Sequence, residues 1–214
     1  MSAMGFDPIT ILASLVALVL ALTLHEFAHA LMGHYLGDTT AKDQGRLTIN
    51  PLAHVDPVFT LAMPLISYFM TGIAIGAAKP VPFNPWAVRW GRWGAALVAV
   101  AGPFTNLLLA LFFALWLRVV HVGVMPYQIL GILVVINVGL FVFNMIPFPP
   151  LDGSRVLYAV APMGLRDVMD RIERAGMGAI LLLFLALYYF GFGQYVTVVV
   201  RAIVGLLLPT GPLP

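Results

Sequence analysis

The run Ile9 to Met32, ITILASLVALVLALTLHEFAHALM, carries two messages at once. Its length and apolarity are those of a helix crossing a bilayer, for which about 20 residues suffice. Inside it stands His25-Glu26-Phe27-Ala28-His29, and ionisable groups at such depth are costly and by default mark function. Histidines four apart lie one turn apart on the same helix face, at a separation that suits a shared zinc ion. Glu26 follows the first histidine directly, where a base beside a metal would stand. The bland alternative is a pair of histidines satisfied by neighbouring helices, with Glu26 as their buried partner. A single metal explains three costly groups on adjacent turns by one cause.

Composition agrees with the bilayer. Of 214 residues, 61% are hydrophobic and only 9% charged, whereas soluble domains run near 25% charged. The net charge is +2; the basic residues are scattered with no run, so no nucleic-acid partner is expected. There is no cysteine, which excludes a disulfide framework, a thiolate metal ligand and a cysteine nucleophile. The first apolar run lacks a basic lead-in and contains the candidate site, so it does not read as a removable signal peptide. The expected architecture is an all-α polytopic membrane protein filling residues 1–214 as one domain. Its core is at about 9–176, and a hydrophobic C-terminal segment follows at about 177–208.

Further along, 34–56 turns polar, and the alternation around Leu47 and Ile49 predicts a small β-hairpin region. Val58 to Ala78 is apolar but interrupted by Pro64, Gly72 and Gly76, as a re-entrant or short hydrophobic segment would be. Lys79 to Arg92 is a Pro- and Trp-rich loop suited to the interface. Trp93–Leu117 and Val122–Ile146 read as two more spans, completing a three-helix core. The last of these ends in Pro147-Phe148-Pro149-Pro150, which no regular helix accommodates. Met177–Leu208, broken at Gly191-Phe192-Gly193, is one hydrophobic helix or a helical hairpin. If 58–78 re-enters, Lys42, Arg46, Lys79, Arg89, Arg92, Arg155, Arg166, Arg171 and Arg174 share one side, cytoplasmic by the positive-inside rule, with the amino terminus outside.

A hydrolytic zinc needs a third protein ligand and an open position. His34, five residues after His29, points off the shared face, and His121 falls at the opposite end. His54 is read as local turn chemistry with Asp56, or as a residue at the site mouth. Asp152 is the best candidate, on a segment that the prolines and Gly153 force out of helix. A helix N-cap is its bland reading. Re-entry of 58–78 makes the first and third spans co-directional, so that His25, His29 and Asp152 can meet. Asn144 could hold substrate backbone or an oxyanion, or make an interhelical hydrogen bond. Gly102 reads as close helix packing, and Asn106, four residues on, as a residue facing packing or the cavity.

Together these pieces resemble the site-2 protease family of intramembrane zinc metalloproteases, in its compact branch without PDZ or CBS domains. The carrying motifs are His25 to His29, Gly102 to Asn106 (GxxxN), and Asn144 to Gly153, NMIPFPPLDG. The resemblance implies one Zn2+ held by His25, His29 and Asp152, with Glu26 as the catalytic base. It assigns substrate positioning to Asn144, and Asn106, Gly102 and His54 are grouped with it as candidates. It implies as substrate a single-pass transmembrane protein, such as an anti-sigma factor, cut within the bilayer of a prokaryotic cytoplasmic (inner) membrane. An extended substrate could pair with a strand at Leu47–Ile49. A related membrane zinc enzyme with a glutamate ligand would need Glu173, which sits among arginines instead. The rival of another class is a membrane metal-ion transporter or non-catalytic metal-binding protein using the same cluster.

Overall fold

The computed structural model describes residues 8–56, 60, 79–120, 123–176 and 192–208. Among these there are eight helices and no strand: α1 Pro8–Tyr35, α2 Thr40–Asp43, α3 Pro51–His54, α4 Arg92–Val119, α5 Val124–Asn144, α6 Asp152–Val160, α7 Met163–Arg174 and α8 Phe192–Leu207. Three of them, α1, α4 and α5, are long and apolar enough to cross a membrane, at the places the sequence predicts. The expected segment 58–78, apart from Thr60, lies outside the described residues, as do His121 and the 177–191 part of the C-terminal segment.

Each long helix has a bundle face and a lipid face. On α1, Ala17, Leu18, Ala21, Leu22 and His25 are buried, while Leu12, Val16, Leu20 and Leu31 are exposed, the three-to-four spacing of one helical stripe. On α4 the buried face is built from small residues, Ala95, Ala99, Gly102, Ala110 and Ala114. In lipid, close backbone approach through small residues supplies the packing that hydrophobic exclusion cannot. Ala110 and Ala114 join Val134 and Val138 of α5 in an apolar cluster covered by Val200, Ile203 and Val204 of α8.

Cross-helix bonds set the directions. Going along α1, Ala21 and His25 meet Asn106, and His29 meets Val98, so α1 and α4 are antiparallel. Asn137 meets Asn106, while Asp152, just beyond the end of α5, meets His25 and His29. Helices α1 and α5 are therefore co-directional, and their C-terminal ends lie together. The flanks of the 57–78 stretch lie together, because the Lys79 amide donates to the His54 carbonyl at 2.9 Å, and at that end, because the Val81 amide donates to Glu26 beside His25.

The expected hairpin at 47–49 is a bend instead. Its backbone bonding groups are taken by local side chains. The Thr48 carbonyl accepts from His54 Nε2, Thr48 Oγ1 accepts from the Asn50 amide, and the Asn50 side chain caps α3 through Leu52 N–H. Asx and Ser/Thr turns of this kind compete with a ladder partner. The loop between α1 and α2 is tied to the Pro/Trp-rich segment by Asp38, which accepts from the Asn84 amide at 2.8 Å and from Thr40. Burial alone would push the Asp38 carboxyl up, but the Thr40 hydroxyl and the Asn84 and Thr40 amides outweigh it and hold it below the usual carboxylate range. It stays charged at neutral pH. Trp86 and Trp90 of the same segment are exposed, as residues lying among lipid headgroups would be.

Candidate metal centre

The C-terminal third of α1 presents two imidazoles on one face because His25 and His29 are one turn apart. Their Nε2 atoms are 3.0 Å from each other, and each is 3.3 Å from Asp152 Oδ2. Asp152 reaches them because α5 stops at Asn144 and the chain turns through Met145 to Leu151 before α6 begins. The N-cap of α6 is Leu151 and Asp152 is its first residue, so its carboxylate is directed at the histidines instead of capping the helix. Gly153 permits the turn: a Cβ there would stand 2.7 Å from the Ile146 carbonyl oxygen.

The other ring nitrogens fix the tautomers. His29 Nδ1 donates to the Val98 carbonyl at 2.7 Å, and His25 Nδ1 donates to Asn106 Oδ1 at 2.6 Å. The Asn106 orientation is itself decided, since its nitrogen faces the Ala21 carbonyl and Asn137 Oδ1, which only accept. Both Nδ1 atoms thus carry hydrogen, which leaves each Nε2 as the ring nitrogen available to a metal, and the two converge with a carboxylate oxygen. Two ring nitrogens and a carboxylate oxygen at such range need a shared proton or a cation among them. Zinc–nitrogen bonds of 2.0–2.1 Å in a tetrahedron give ligand edges of about 3.3 Å, close to the 3.0 and 3.3 Å found here. The donor set fits one zinc ion. Among the described residues these three form the sole cluster of its kind.

Gly102 completes the cradle. A Cβ built on it would lie 2.6 Å from His29 Cε1 and 2.8 Å from His25 Cε1, well inside contact. Replacing Gly102→Ala is expected to displace the imidazoles and weaken zinc binding by about 10–100-fold or more, a loss of the size that disturbing the support of a ligand brings. Zinc retained after dialysis against graded chelator measures it.

Other expected residues fall elsewhere. Asn106 is fully buried with both amide atoms engaged, so it orients His25 and does not face a substrate. Gly102 shapes the metal cradle and has no positioning side chain. His54 is 1% exposed, its Nε2 tied to the Thr48 carbonyl, which makes it a brace of the bend, with Thr48 in place of the anticipated Asp56. Asn144 donates to Leu140 of its own helix at 3.0 Å, in place of the interhelical bond that is one of its two readings. Glu173 pairs with Arg155, far in role from a metal ligand. Asn137, not anticipated, is 1% exposed and continues the line from Asn106 to the Leu133 carbonyl. Its signal was its place seven residues before Asn144, on the same helix face.

Spans and site define an integral membrane metalloprotein. Comparison with known proteins narrows this. The model of peptidase family M50 matches residues 118–187. A Bacillus subtilis protein named "Putative zinc metalloprotease YwhC" is 36% identical over 201 residues, 89% of this chain and 87% of that protein. Rip2 of Mycolicibacterium smegmatis, named in the same terms, is 31% identical over 144 residues, 65% of this chain and 53% of its own length. The chain therefore spans about half the matched mycobacterial relatives but most of YwhC. No solved structure matches it. The chain belongs to peptidase family M50, the site-2 protease family.

Proposed function

We propose that this protein is an intramembrane zinc endopeptidase that hydrolyses a peptide bond within or near a transmembrane helix of a membrane protein. The observation carrying the reading is the convergence of two imidazole Nε2 atoms and a carboxylate oxygen beside Glu26, at one level of a membrane bundle. His25, His29 and Asp152 would hold the ion. Zinc, when bound, supplies Lewis acidity that polarises a carbonyl and makes water acidic enough to attack near neutral pH. Glu26 takes the proton of the attacking water as the carbon–oxygen bond forms, then delivers it to the amide nitrogen as the carbon–nitrogen bond breaks. Asn106 and Asn137 keep His25 in the tautomer that leaves Nε2 free.

The same amides speak against an ion pathway. Each is engaged by a fixed partner, an arrangement suited to orienting a ligand and not to passing a cation. The substrate class is a single-pass transmembrane protein, an anti-sigma factor or similar regulator, by analogy with the family. Its helix must unwind locally at the site, because a regular helix shields its peptide bonds. Asn144, at the broken end of α5, remains the candidate to hold that unwound backbone. The test uses purified protein and the fastest-cleaved peptide from a quenched-fluorescence library of apolar sequences. Cleavage is expected to stop on zinc chelation and return when zinc is restored; cleavage indifferent to the metal would refute the reading.

Orientation follows from charge. Nine of the eleven Lys and Arg residues, namely Lys42, Arg46, Lys79, Arg89, Arg92, Arg155, Arg166, Arg171 and Arg174, belong to segments at or beyond the metal end of the spans. That end is assigned to the cytoplasm, of a prokaryotic inner membrane in this reading. Since the chain has no cysteine, a lone thiol reports cleanly. An Asp167→Cys variant is expected to react with an impermeant maleimide only after the cells are permeabilised. Labelling in intact spheroplasts would invert the assignment.

A further inference from the structure

The Pro-rich stretch Lys79–Pro82 lies directly against the site. Glu26 Oε2 accepts the Val81 amide at 2.9 Å. Within this stretch only Lys79 and Val81 possess an N–H, because residues 80 and 82 are prolines. Lys79 donates to the His54 carbonyl, which leaves Val81 for Glu26. A slip of one residue in either direction would present a proline ring to the carboxylate. Register is therefore set by which residues lack a donor.

The segment is also gripped from behind. Arg46, 9% exposed, donates through Nη2 to the carbonyls of Lys79 at 2.9 Å and Pro80 at 3.1 Å. Those carbonyls immediately precede the Val81 amide. A planar guanidinium that brings two successive carbonyls to one nitrogen fixes the peptide between them, and with it the direction of the next N–H. Asp38 fastens the far end through the Asn84 amide. From these contacts we infer that Arg46 is a positioning residue for Glu26, acting through the Lys79–Val81 backbone. With Oε2 held by Val81, Oε1 is the oxygen that takes the proton. This inference rests on the reading of Glu26 as the base.

The test compares Val81→Pro, Arg46→Ala, Arg46→Lys and the double variant Arg46→Ala/Val81→Pro with wild type, using the library-selected peptide. Val81→Pro deletes one N–H from a segment already extended by its neighbours. It is expected to lower kcat by about 10–100-fold, the size of effect that sub-ångström to ångström misplacement of a reacting group produces, with KM and zinc stoichiometry unchanged. Arg46→Ala should show the same split, and Arg46→Lys, which keeps a donor, should recover part of the loss. If Arg46 works through Val81, the double variant is no slower than the worse single one. Losses that multiply, or wild-type kcat in zinc-loaded Arg46→Ala, overturn the inference. Should Val81→Pro fail to load zinc, the Arg46→Ala and Arg46→Lys pair decides by the same criteria. Glu26→Gln run in parallel separates the two levels: an active Glu26→Gln removes the base and this inference together. An inactive Glu26→Gln with an undiminished Val81→Pro or Arg46→Ala removes the inference alone.

Discussion

Glu26→Gln is expected to bind zinc as the wild type does and to cleave about 10²- to 10⁴-fold more slowly, the usual contribution of a positioned general base. That range corresponds to roughly 3–5.5 kcal/mol of transition-state stabilisation. The substitution is nearly isosteric, and the new amide side chain keeps an oxygen able to accept the Val81 N–H that Glu26 accepts now. Fold and metal cradle should therefore survive while the proton acceptor is lost. Two measurements check it: zinc per chain, and single-turnover cleavage of the selected peptide. Equal zinc with equal cleavage would remove Glu26 from the chemistry. Loss of zinc would instead make Glu26 part of the metal support.

Asp152→Ala is expected to act one step earlier. Removing one of three converging donors should weaken zinc by more than the ~10–100-fold that follows loss of a merely supporting residue, and activity should vanish with the metal. The folded bundle need not vanish, because Ala110, Ala114, Val134 and Val138 pack away from the site. The distinguishing measurement is thermal unfolding with and without zinc. A ligand that binds the native state raises its melting temperature by mass action, so wild type should show a zinc-dependent rise and Asp152→Ala should not. Stoichiometric zinc of wild-type affinity in Asp152→Ala would refute the ligand set.

The spans and the metal cluster were legible for different reasons. Apolar runs of bilayer length identify α1, α4 and α5 without any knowledge of packing. His25 and His29 announce themselves by a four-residue period, and Asp152 by the prolines that must end a helix just before it. What escaped was whatever depends on backbone groups or on packing at a distance. Val81 contributes an amide, which has no side-chain signature. Gly102 matters through the atoms a Cβ would strike, visible only once α4 lies on α1. Asn137 offered only its seven-residue spacing from Asn144 in a mostly apolar helix. The alternation at Leu47 and Ile49 suggested a strand, yet Thr48 and Asn50 between and beside them supply turn chemistry that a short run cannot overrule. Arg46 was legible only as one of the charges sharing a side, and the role of Asp38 not at all, because nothing local shows that a distant loop comes to cover them.

The break after Asn144 bears on biosynthesis. Helix α5, Val124–Asn144, contains no ionisable acid or base except Tyr127, so it can leave the insertion machinery as an ordinary hydrophobic span. The acidic residue that the centre needs arrives afterwards, on the short helix beyond the turn. Until that helix folds back, the newly inserted chain holds two histidines and an incomplete cradle. The proline break thus keeps the centre's carboxylate off the membrane-crossing helix and delays completion of the metal cluster until the helices have met.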